Sequence, residues 1–200
     1  MTRPASTGTL RRLWDSDIAW SFRRSPLAIG AGIVTGFMLL LAGLAPWIAP
    51  HNPLNPASID LLNSLTPPIW GKDGNWLFPL GTDHQGRDML STILFGARIS
   101  LAVGFAAVAF AMTIGVTLGL IAGWSGGWLG AAIMRAADVQ LSFPAILVAL
   151  LIEGVARGFL PKSAHDQVAI YIVIFAIGAA GWVQYARTVH AAVMVERARE

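Results

Sequence analysis

The most constraining feature of this sequence is an uncharged, largely apolar run over residues 99–134. A helix needs about 20 apolar residues to cross a hydrocarbon core about 30 Å thick, and this run is longer than that. Gly115, Gly119 and Gly123 recur within it at every fourth residue. Small residues at that spacing give a membrane helix a flat face for close packing. The run therefore predicts a membrane protein rather than a soluble domain.

The composition agrees with a lipid-facing surface. Hydrophobic residues make up 55% of the 200 residues and charged residues only 12%, whereas soluble domains carry about 25% charged residues. The sequence contains no cysteine, which excludes disulfides, thiolate catalysis and cysteine-ligated metal. The first apolar run exceeds the core of about 7–15 residues that a signal peptide has, so it is interpreted as a retained anchor.

The hydropathy pattern predicts an all-α, polytopic membrane helix bundle with four transmembrane helices in this chain. The predicted spans are residues 27–49, 99–122, 129–155 and 168–186. The other predicted segments are a cytoplasmic N-terminal tail over residues 1–26, an extracytoplasmic loop over 50–98 with an interfacial helix near 86–98, a polar connection over 157–167, and the start of a cytoplasmic segment over 187–200.

Prolines and polar termini refine these spans. Pro26 suits a helix start, Pro46 marks the end of the first span, and Pro144 should bend the third. Residues 10–22 fit either an amphipathic helix on the membrane surface or a solvated tail.

Basic residues predict the orientation in the membrane. With a cytoplasmic N-terminus, nine Lys and Arg residues lie in inside segments and five in outside segments. This excess favours cytoplasmic N- and C-termini, because positively charged loops stay inside. Arginines concentrate near the N-terminus without interleaved aromatics, a pattern that does not favour nucleic-acid binding.

A dense polar cluster in the long loop is the first candidate site. It consists of Asp83, His84, Arg87 and Asp88. Metal coordination needs several converging ligands, and His84 has no second histidine at helical spacing. A structural network that pins the loop is therefore favoured over catalysis, and a docking role fits beside it.

Local patterns near this cluster predict how the chain folds. Thr82 and Gln85 have capping-box spacing, which predicts that a helix starts there. Gly71 and Lys72 superficially resemble a phosphate loop, but the glycine required five residues before Gly71 is Thr66 and no Ser or Thr follows Lys72. An ATP site of this kind is therefore excluded.

Polar residues in the third span are the other candidates. Asp138, Gln140 and Glu153 lie in or beside it, and ionisable groups in spans suggest function. Because Arg135 is three residues before Asp138 and Arg157 is four residues after Glu153, local pairing is favoured over a proton relay.

Two segments closely resemble a known family. Residues 80–91 read LGTDHQGRDMLS and residues 96–101 read GARISL. They match the pattern L-G-T-D-x-x-G-R-D-x-x-S…G-A-R-x-S-L of inner-membrane permease subunits of the dipeptide/oligopeptide ABC-transporter family, in particular the C-type subunit. The order of Gly119–Gly123, Gly126–Trp128 and Arg135…Asp138…Ser142-Phe143-Pro144 also resembles that family, and the resemblance extends over about residues 23–200.

The resemblance implies a fold of six helices and a set of partners. These are a second permease subunit, two cytoplasmic ATPase subunits, an extracytoplasmic substrate-binding protein and the lipid bilayer. Substrates in the family are mostly di- and oligopeptides, with nickel and glutathione carried by close relatives. The chain would be a transport subunit without a catalytic site or cofactor.

The resemblance also suggests roles for individual residues. An extracytoplasmic docking or structural motif would comprise Gly81, Thr82, Asp83, Gly86, Arg87, Asp88 and Arg98. Helix packing would involve Gly115, Gly119 and Gly123. The approach to the ATPase-coupling loop would comprise Arg187, Glu196, Arg197 and Arg199.

One departure concerns the C-terminal side. The family pattern continues past residues 195–200 into an E-A-A…G cytoplasmic loop and two more spans. The 200 residues are therefore expected to be a fragment or a truncated product that does not couple to ATP hydrolysis by itself.

Two other classes of function remain as alternatives. An integral membrane enzyme would need a metal or nucleophile constellation in the 50–98 loop. A membrane scaffold or an ion-coupled carrier would not depend on ATP, and a carrier would more often show ionisable groups in the middle of its spans.

Overall fold

A computed structural model describes residues 17–55, 60–159 and 162–199 of the chain. The described residues form six α-helices, namely α1 (Asp17–Arg24), α2 (Pro26–Ile48), α3 (Met89–Ser125), α4 (Gly127–Leu141), α5 (Ala145–Phe159) and α6 (Lys162–Arg197), and a 3₁₀ turn at Leu61–Asn63. The chain divides into two compact units, Met1–Ile99 and Ser100–Glu200, and α3 contributes to both.

Local sequence explains where the first long helix begins. The Ser25 hydroxyl accepts a hydrogen bond from the backbone N–H of Ala28 at 3.3 Å, and Pro26 is the first residue of α2. Such a cap satisfies one N–H that has no partner in the first turn, and proline needs none. Pro46 lies inside the last turn of α2 rather than after it. Residues 17–24 are helical, and the earlier part of the predicted amphipathic segment lies outside the described residues.

The described helices include three that are long and apolar enough to cross a membrane, at Pro26–Ile48, Met89–Ser125 and Val168–Arg197. Helices α4 and α5 pass the same test only as a pair. Large apolar side chains such as Leu27, Phe37 and Leu40 are exposed on α2. Apolar surface of this extent is normal against lipid and costly against water. The prediction of an all-α polytopic membrane protein is confirmed.

Helix α3 differs from the predicted pair of helices. An interfacial helix near 86–98 and a span at 99–122 were expected, but one uninterrupted helix runs over Met89–Ser125. Its 37 residues extend about 55 Å at 1.5 Å per residue, well beyond a hydrocarbon core of about 30 Å. No glycine or proline that would end a helix stands between residues 97 and 103, so the first turns continue straight into the apolar run.

The third predicted span is broken rather than bent. Helices α4 and α5 meet at 92° across the segment Ser142–Pro144. Proline cannot donate the backbone hydrogen bond that a continuous helix needs, so the helix ends before Pro144 and restarts after it. Each arm has 15 residues and is about 22 Å long, which places the far ends about 31 Å apart.

Helices α3 and α6 run in the same direction. Close approaches pair Phe110 with Gly178, Gly119 with Ala186, and Gly123 with Val193, so residue numbers rise together along both helices. Two parallel neighbours in a bilayer end on the same side, and the chain between them must cross back once. The broken α4–α5 pair is long enough for that crossing, because its ends are about 31 Å apart and the hydrocarbon core is about 30 Å thick.

Helix α6 extends beyond the predicted span on both sides. It covers Lys162–Arg197, so part of the segment 157–167, expected to be a polar connection, is helical. The helix also continues through residues 187–197, which were predicted to begin a cytoplasmic segment.

Candidate functional site

The predicted polar cluster folds into a closed turn, which we call the Asp83 turn (residues 81–88). The Oδ1 atom of Asp83 accepts hydrogen bonds from the backbone N–H groups of Gln85 at 2.8 Å and Arg87 at 2.9 Å. The backbone N–H of Asp83 donates to the carbonyl of Arg87 at 3.0 Å. The carboxylate therefore organises the turn from inside, as Asp side chains commonly do.

These contacts set the ionisation of Asp83. Burial raises the pKa of its carboxyl group, but the hydrogen bonds from the Arg87 and Gln85 N–H groups and the electrostatic influence of the nearby His84 and Arg87 side chains outweigh that effect. The pKa of Asp83 is therefore lowered below its ordinary value. The ionised form holds the turn together at neutral pH.

Thr82 joins the Asp83 turn to the segment around residues 63–66. Its N–H donates to the carbonyl of Thr66 at 3.0 Å, and its hydroxyl oxygen accepts from the Thr66 N–H at 2.9 Å. The same hydroxyl donates to the carbonyl of Asn63. Thr82 is buried, and its hydrogen-bonding groups are satisfied, as a buried polar side chain requires.

Two glycines in the turn have backbones that other residues rarely adopt. Gly81 and Gly86 have φ values of 78° and 77°. A Cβ atom on Gly81 would lie 2.5 Å from the carbonyl oxygen of Thr66, and one on Gly86 would lie 2.7 Å from the carbonyl carbon of Asp60. The G-T-D-x-x-G spacing is therefore explained by conformation and close approach together.

Asp88 caps α3 rather than lying on its surface. Its carboxylate accepts from the backbone N–H groups of Leu90 at 3.3 Å and Ser91 at 3.1 Å, and from the Ser91 hydroxyl. The capping-box prediction at Thr82 and Gln85 is consequently wrong, because the helix begins at Met89. The backbones of Thr82 and Asp88 instead form an isolated antiparallel β-bridge across the turn.

His51 extends this buried network to the segment that follows α2. Its backbone N–H donates to the Ser91 hydroxyl at 3.0 Å, and its ring stacks on Phe78 with centroids 5.1 Å apart. Its Nδ1 atom lies 3.6 Å from the Asp88 carboxylate. Sequence reasoning assigned no site role to His51 or Phe78, and it noted Ser91 only as part of the family pattern. One sequence signal for this network was available: Asp88 stands directly before an apolar helix, which is a typical N-cap position.

The other polar residues of the motif differ in accessibility. His84 is exposed, Arg87 is partly buried, and Arg98 is exposed on α3. The carbonyl of His84 accepts from the Ser64 hydroxyl at 3.0 Å. Within the ranges that the structure describes, no group of three or more His, Asp or Glu side chains is arranged to hold a metal ion.

The glycine strip (Gly115, Gly119 and Gly123) lies directly against α6. A Cβ atom on Gly115 would be 2.6 Å from the Cβ of Tyr185, and one on Gly119 would be 2.6 Å from the carbonyl of Ala186. All three glycines are buried. Each distance is shorter than any ordinary carbon contact, so the two backbones approach closely only because these side chains are absent.

Arg197 contacts the end of α3. Its Nη1 atom donates to the carbonyls of Gly123 at 2.8 Å and Trp124 at 3.0 Å. The other residues predicted near the coupling loop are more peripheral. Glu196 and Arg199 form an ion pair of 3.3 Å with both side chains exposed, and Arg187 is exposed on α6.

Polar residues of the broken pair make contacts both with α6 and within α5. Gln140 donates to the carbonyl of Ala179 at 2.7 Å and accepts from the indole N–H of Trp182 at 2.8 Å. Glu153 and Arg157 form the expected ion pair at 2.7 Å. The expected pair of Arg135 with Asp138 does not occur among the ion pairs of the described residues, although both side chains are described.

Comparisons with known proteins agree with this architecture. The family model for the N-terminal transmembrane domain of oligopeptide transport permease C matches residues 12–68. The di/tripeptide transport system permease protein DppC of Pseudomonas aeruginosa is 36% identical over 191 residues, which cover 96% of this chain and 57% of that protein.

Two further relatives also match most of the chain. The dipeptide transport system permease protein DppC of Escherichia coli is 40% identical over 179 residues, covering 90% of this chain and 55% of the relative. Over this region the chain belongs to the dipeptide/oligopeptide ABC-transporter permease family, C type. The glutathione transport system permease protein GsiD of Escherichia coli is 37% identical over 158 residues, covering 79% of the chain and 48% of the relative. The chain thus spans about half the length of the curated relatives that it matches.

Proposed function

We propose that this chain is part of a permease subunit of a binding-protein-dependent ABC importer. It would form part of the path that peptides or a related small solute take across the bacterial inner membrane. The observation that carries the proposal is the identity of 40% over 90% of the chain with a dipeptide permease. A match of 179 of the 200 residues necessarily includes the Asp83 turn and α3.

We further propose that the N-terminus is cytoplasmic. Four crossings, counting the α4–α5 pair as one, return the chain to the side on which it began. Arginines flank the start of α2, and the excess of basic residues in the segments on that side supports this orientation. The Asp83 turn then lies outside, and the ends of α3 and α6 lie in the cytoplasm.

The proposed roles of this chain and its partner subunits follow from this orientation. The chain itself would hydrolyse nothing, and ATP hydrolysis would occur on two cytoplasmic ATPase subunits. A second permease subunit would complete the path. Helices that meet through small residues can move as rigid bodies without opening voids, which suits alternating access.

Docking of a substrate-binding protein is proposed for the outer side of the Asp83 turn. Asp88 is buried and serves as a helix cap, so it is unsuited to contact a partner directly. Arg87 is partly exposed and His84 is exposed, which leaves these side chains of the turn available for docking. Charged rim residues chiefly steer association, so their effect is on the rate of encounter.

The proposal is tested with the full permease, reconstituted with its partner permease, ATPases and binding protein in proteoliposomes. We expect uptake of a labelled dipeptide that requires both ATP and the binding protein. Uptake driven by an ion gradient without ATP would instead favour the carrier alternative. Absence of any transport for dipeptides, oligopeptides and glutathione would favour a scaffold.

Docking has a test of its own. Arg87→Glu should raise the concentration of binding protein needed for half-maximal ATPase stimulation by about tenfold, since it reverses a steering charge. Lys72→Glu is the matched control, because Lys72 is exposed in the same loop outside the turn. Equal effects of the two substitutions would contradict a specific role for Arg87.

A further inference from the structure

Arg197 occupies a position that joins the ends of two helices. It is the last residue of α6, and its guanidinium group donates to the carbonyls of Gly123 and Trp124 in the last turn of α3. The last four carbonyls of a helix have no partner within that helix. Arg197 satisfies two of them with a positive charge, which also suits the negative end of the helix dipole.

The neighbouring residues show why this contact is geometrically fixed. The backbone of Gly126 has a φ of 59°, and a Cβ atom on it would lie 3.5 Å from the Arg197 Nη1 atom. Val193, one turn earlier on α6, fills the space over Gly123, where a Cβ atom would be 2.7 Å from the Val193 Cβ. Arg197 is therefore the next contact after Val193 in the series that runs along the glycine strip.

The ends of α3 and α6 are thereby held together by contacts of two kinds. Close backbone approach at the glycine strip fixes the distance between the helices. The hydrogen bonds of Arg197 fix the position of α6 relative to α3 along the helix axis, because the carbonyl groups of α3 that lack an intrahelical partner are confined to its last turn. Charge-assisted hydrogen bonds are the stronger kind, and a guanidinium group can donate to two acceptors at once.

We infer that Arg197 is a positioning residue that ties the end of α6 to the end of α3, so that the two helices move as one unit during transport. This inference rests on the proposed function, in which the end of α6 lies in the cytoplasm, on the side of the ATPases. A displacement applied at the end of α6 would then reach α3 directly. Without the tie, ATP hydrolysis would continue while the movement of α3 lagged behind.

The test measures coupling rather than activity alone. In proteoliposomes containing the full permease and its partners, we expect Arg197→Gln to lower the number of substrates transported per ATP hydrolysed by roughly tenfold, the shift that loss of a charge-assisted hydrogen bond produces. Arg197→Lys keeps a positive charge and N–H donors and should restore part of that ratio. Arg157→Gln is the matched control, since Arg157 makes an exposed ion pair within α5.

Each outcome decides the inference. A ratio that falls with glutamine and partly recovers with lysine supports it. An unchanged ratio overturns it, even if uptake and ATP hydrolysis both decline, because a merely structural defect lowers the two together. If the unsubstituted permease shows no uptake that depends on the binding protein, the proposed function fails.

A second measurement tests the tie independently of transport. The 200 residues contain no cysteine, so within them spin labels attach only at the introduced Trp128→Cys and Arg199→Cys, in a full permease whose remaining segments have been made free of cysteine. Both residues are exposed, just beyond the ends of α3 and α6. We expect a broader distance distribution between the labels in the Arg197→Gln background than with Arg197. Identical distributions would overturn the inference.

Discussion

Glycine residues allow close backbone approach in both the Asp83 turn and the glycine strip, but different interactions stabilise the two regions. In the turn, the carboxylates of Asp83 and Asp88 accept hydrogen bonds from backbone N–H groups. Along the strip, the described contacts are between backbone and apolar side chains, and hydrogen bonds join the helices only at the end. The comparison teaches that a loop in water needs directed polar contacts, while helices in lipid gain mainly from close approach.

The strip should be sensitive to added volume, because the backbones of α3 and α6 approach closely at its glycines. Gly115→Ala places a methyl group within 2.6 Å of the Tyr185 Cβ, which forces α3 and α6 apart at a cost of about 2 kcal/mol. The measurement is the thermal unfolding midpoint of the purified full permease in detergent. Gly104→Ala is the control, because nothing lies within 4 Å of its Cβ position. Equal midpoints for the two variants would show that the strip tolerates a methyl group and that close approach does not stabilise the α3–α6 pair.

The turn should be the more sensitive to loss of charge. Asp88→Asn keeps the size of the side chain, but only one of its two terminal atoms can accept, so the three donors from Leu90 and Ser91 cannot all be satisfied. We expect a loss of about 1.5 kcal/mol, measured by the same unfolding midpoint. Asp73→Asn is the control, since Asp73 is exposed and its positive φ suits asparagine. A neutral effect at Asp88 would show that the cap is dispensable.

The smallest expected effect is a dependence of the turn on pH. Because the pKa of Asp83 is lower in the folded turn than its ordinary value of about 3.8, ionised Asp83 stabilises the turn above that value. This contribution falls away as the pH drops through the lower, folded value. Hydrogen exchange of the Gln85 and Arg87 amides should therefore accelerate below about pH 4 relative to the intrinsic rate. Asp83→Asn should remove this pH dependence of amide exchange. If the variant kept the pH dependence, a group other than Asp83 would be its cause.

Sequence patterns predicted the membrane class, the α2 boundaries and the ion pair of Glu153 with Arg157, because hydropathy and short spacings act locally. They failed where contacts join distant residues. The bond from His51 to Ser91 links residues forty positions apart, and nothing near His51 indicates it. The helix start was misplaced because the capping-box spacing at Thr82 competes with the cap at Asp88, and only the fold of the turn selects between them.

The glycine spacing indicated close packing but not the partner helix. Every helix with small residues at that interval is compatible with several neighbours, and the choice of α6 depends on Tyr185, Ala186 and Val193 being placed opposite. The contact of Arg197 with α3 was missed for the same reason. Its charge indicated a cytoplasmic helix end, whereas its acceptors lie more than seventy residues earlier.

The right-angled corner at Ser142–Pro144 has a consequence for what surrounds it. It lies midway along the α4–α5 crossing, at the depth where acyl chains offer no hydrogen bonds to amide groups. Irregular backbone at that depth persists only beside other protein or beside water. Residues 141–147 are exposed in this chain. In the assembled transporter the corner must therefore be shielded from acyl chains, either by a helix of another subunit or by a water-filled passage.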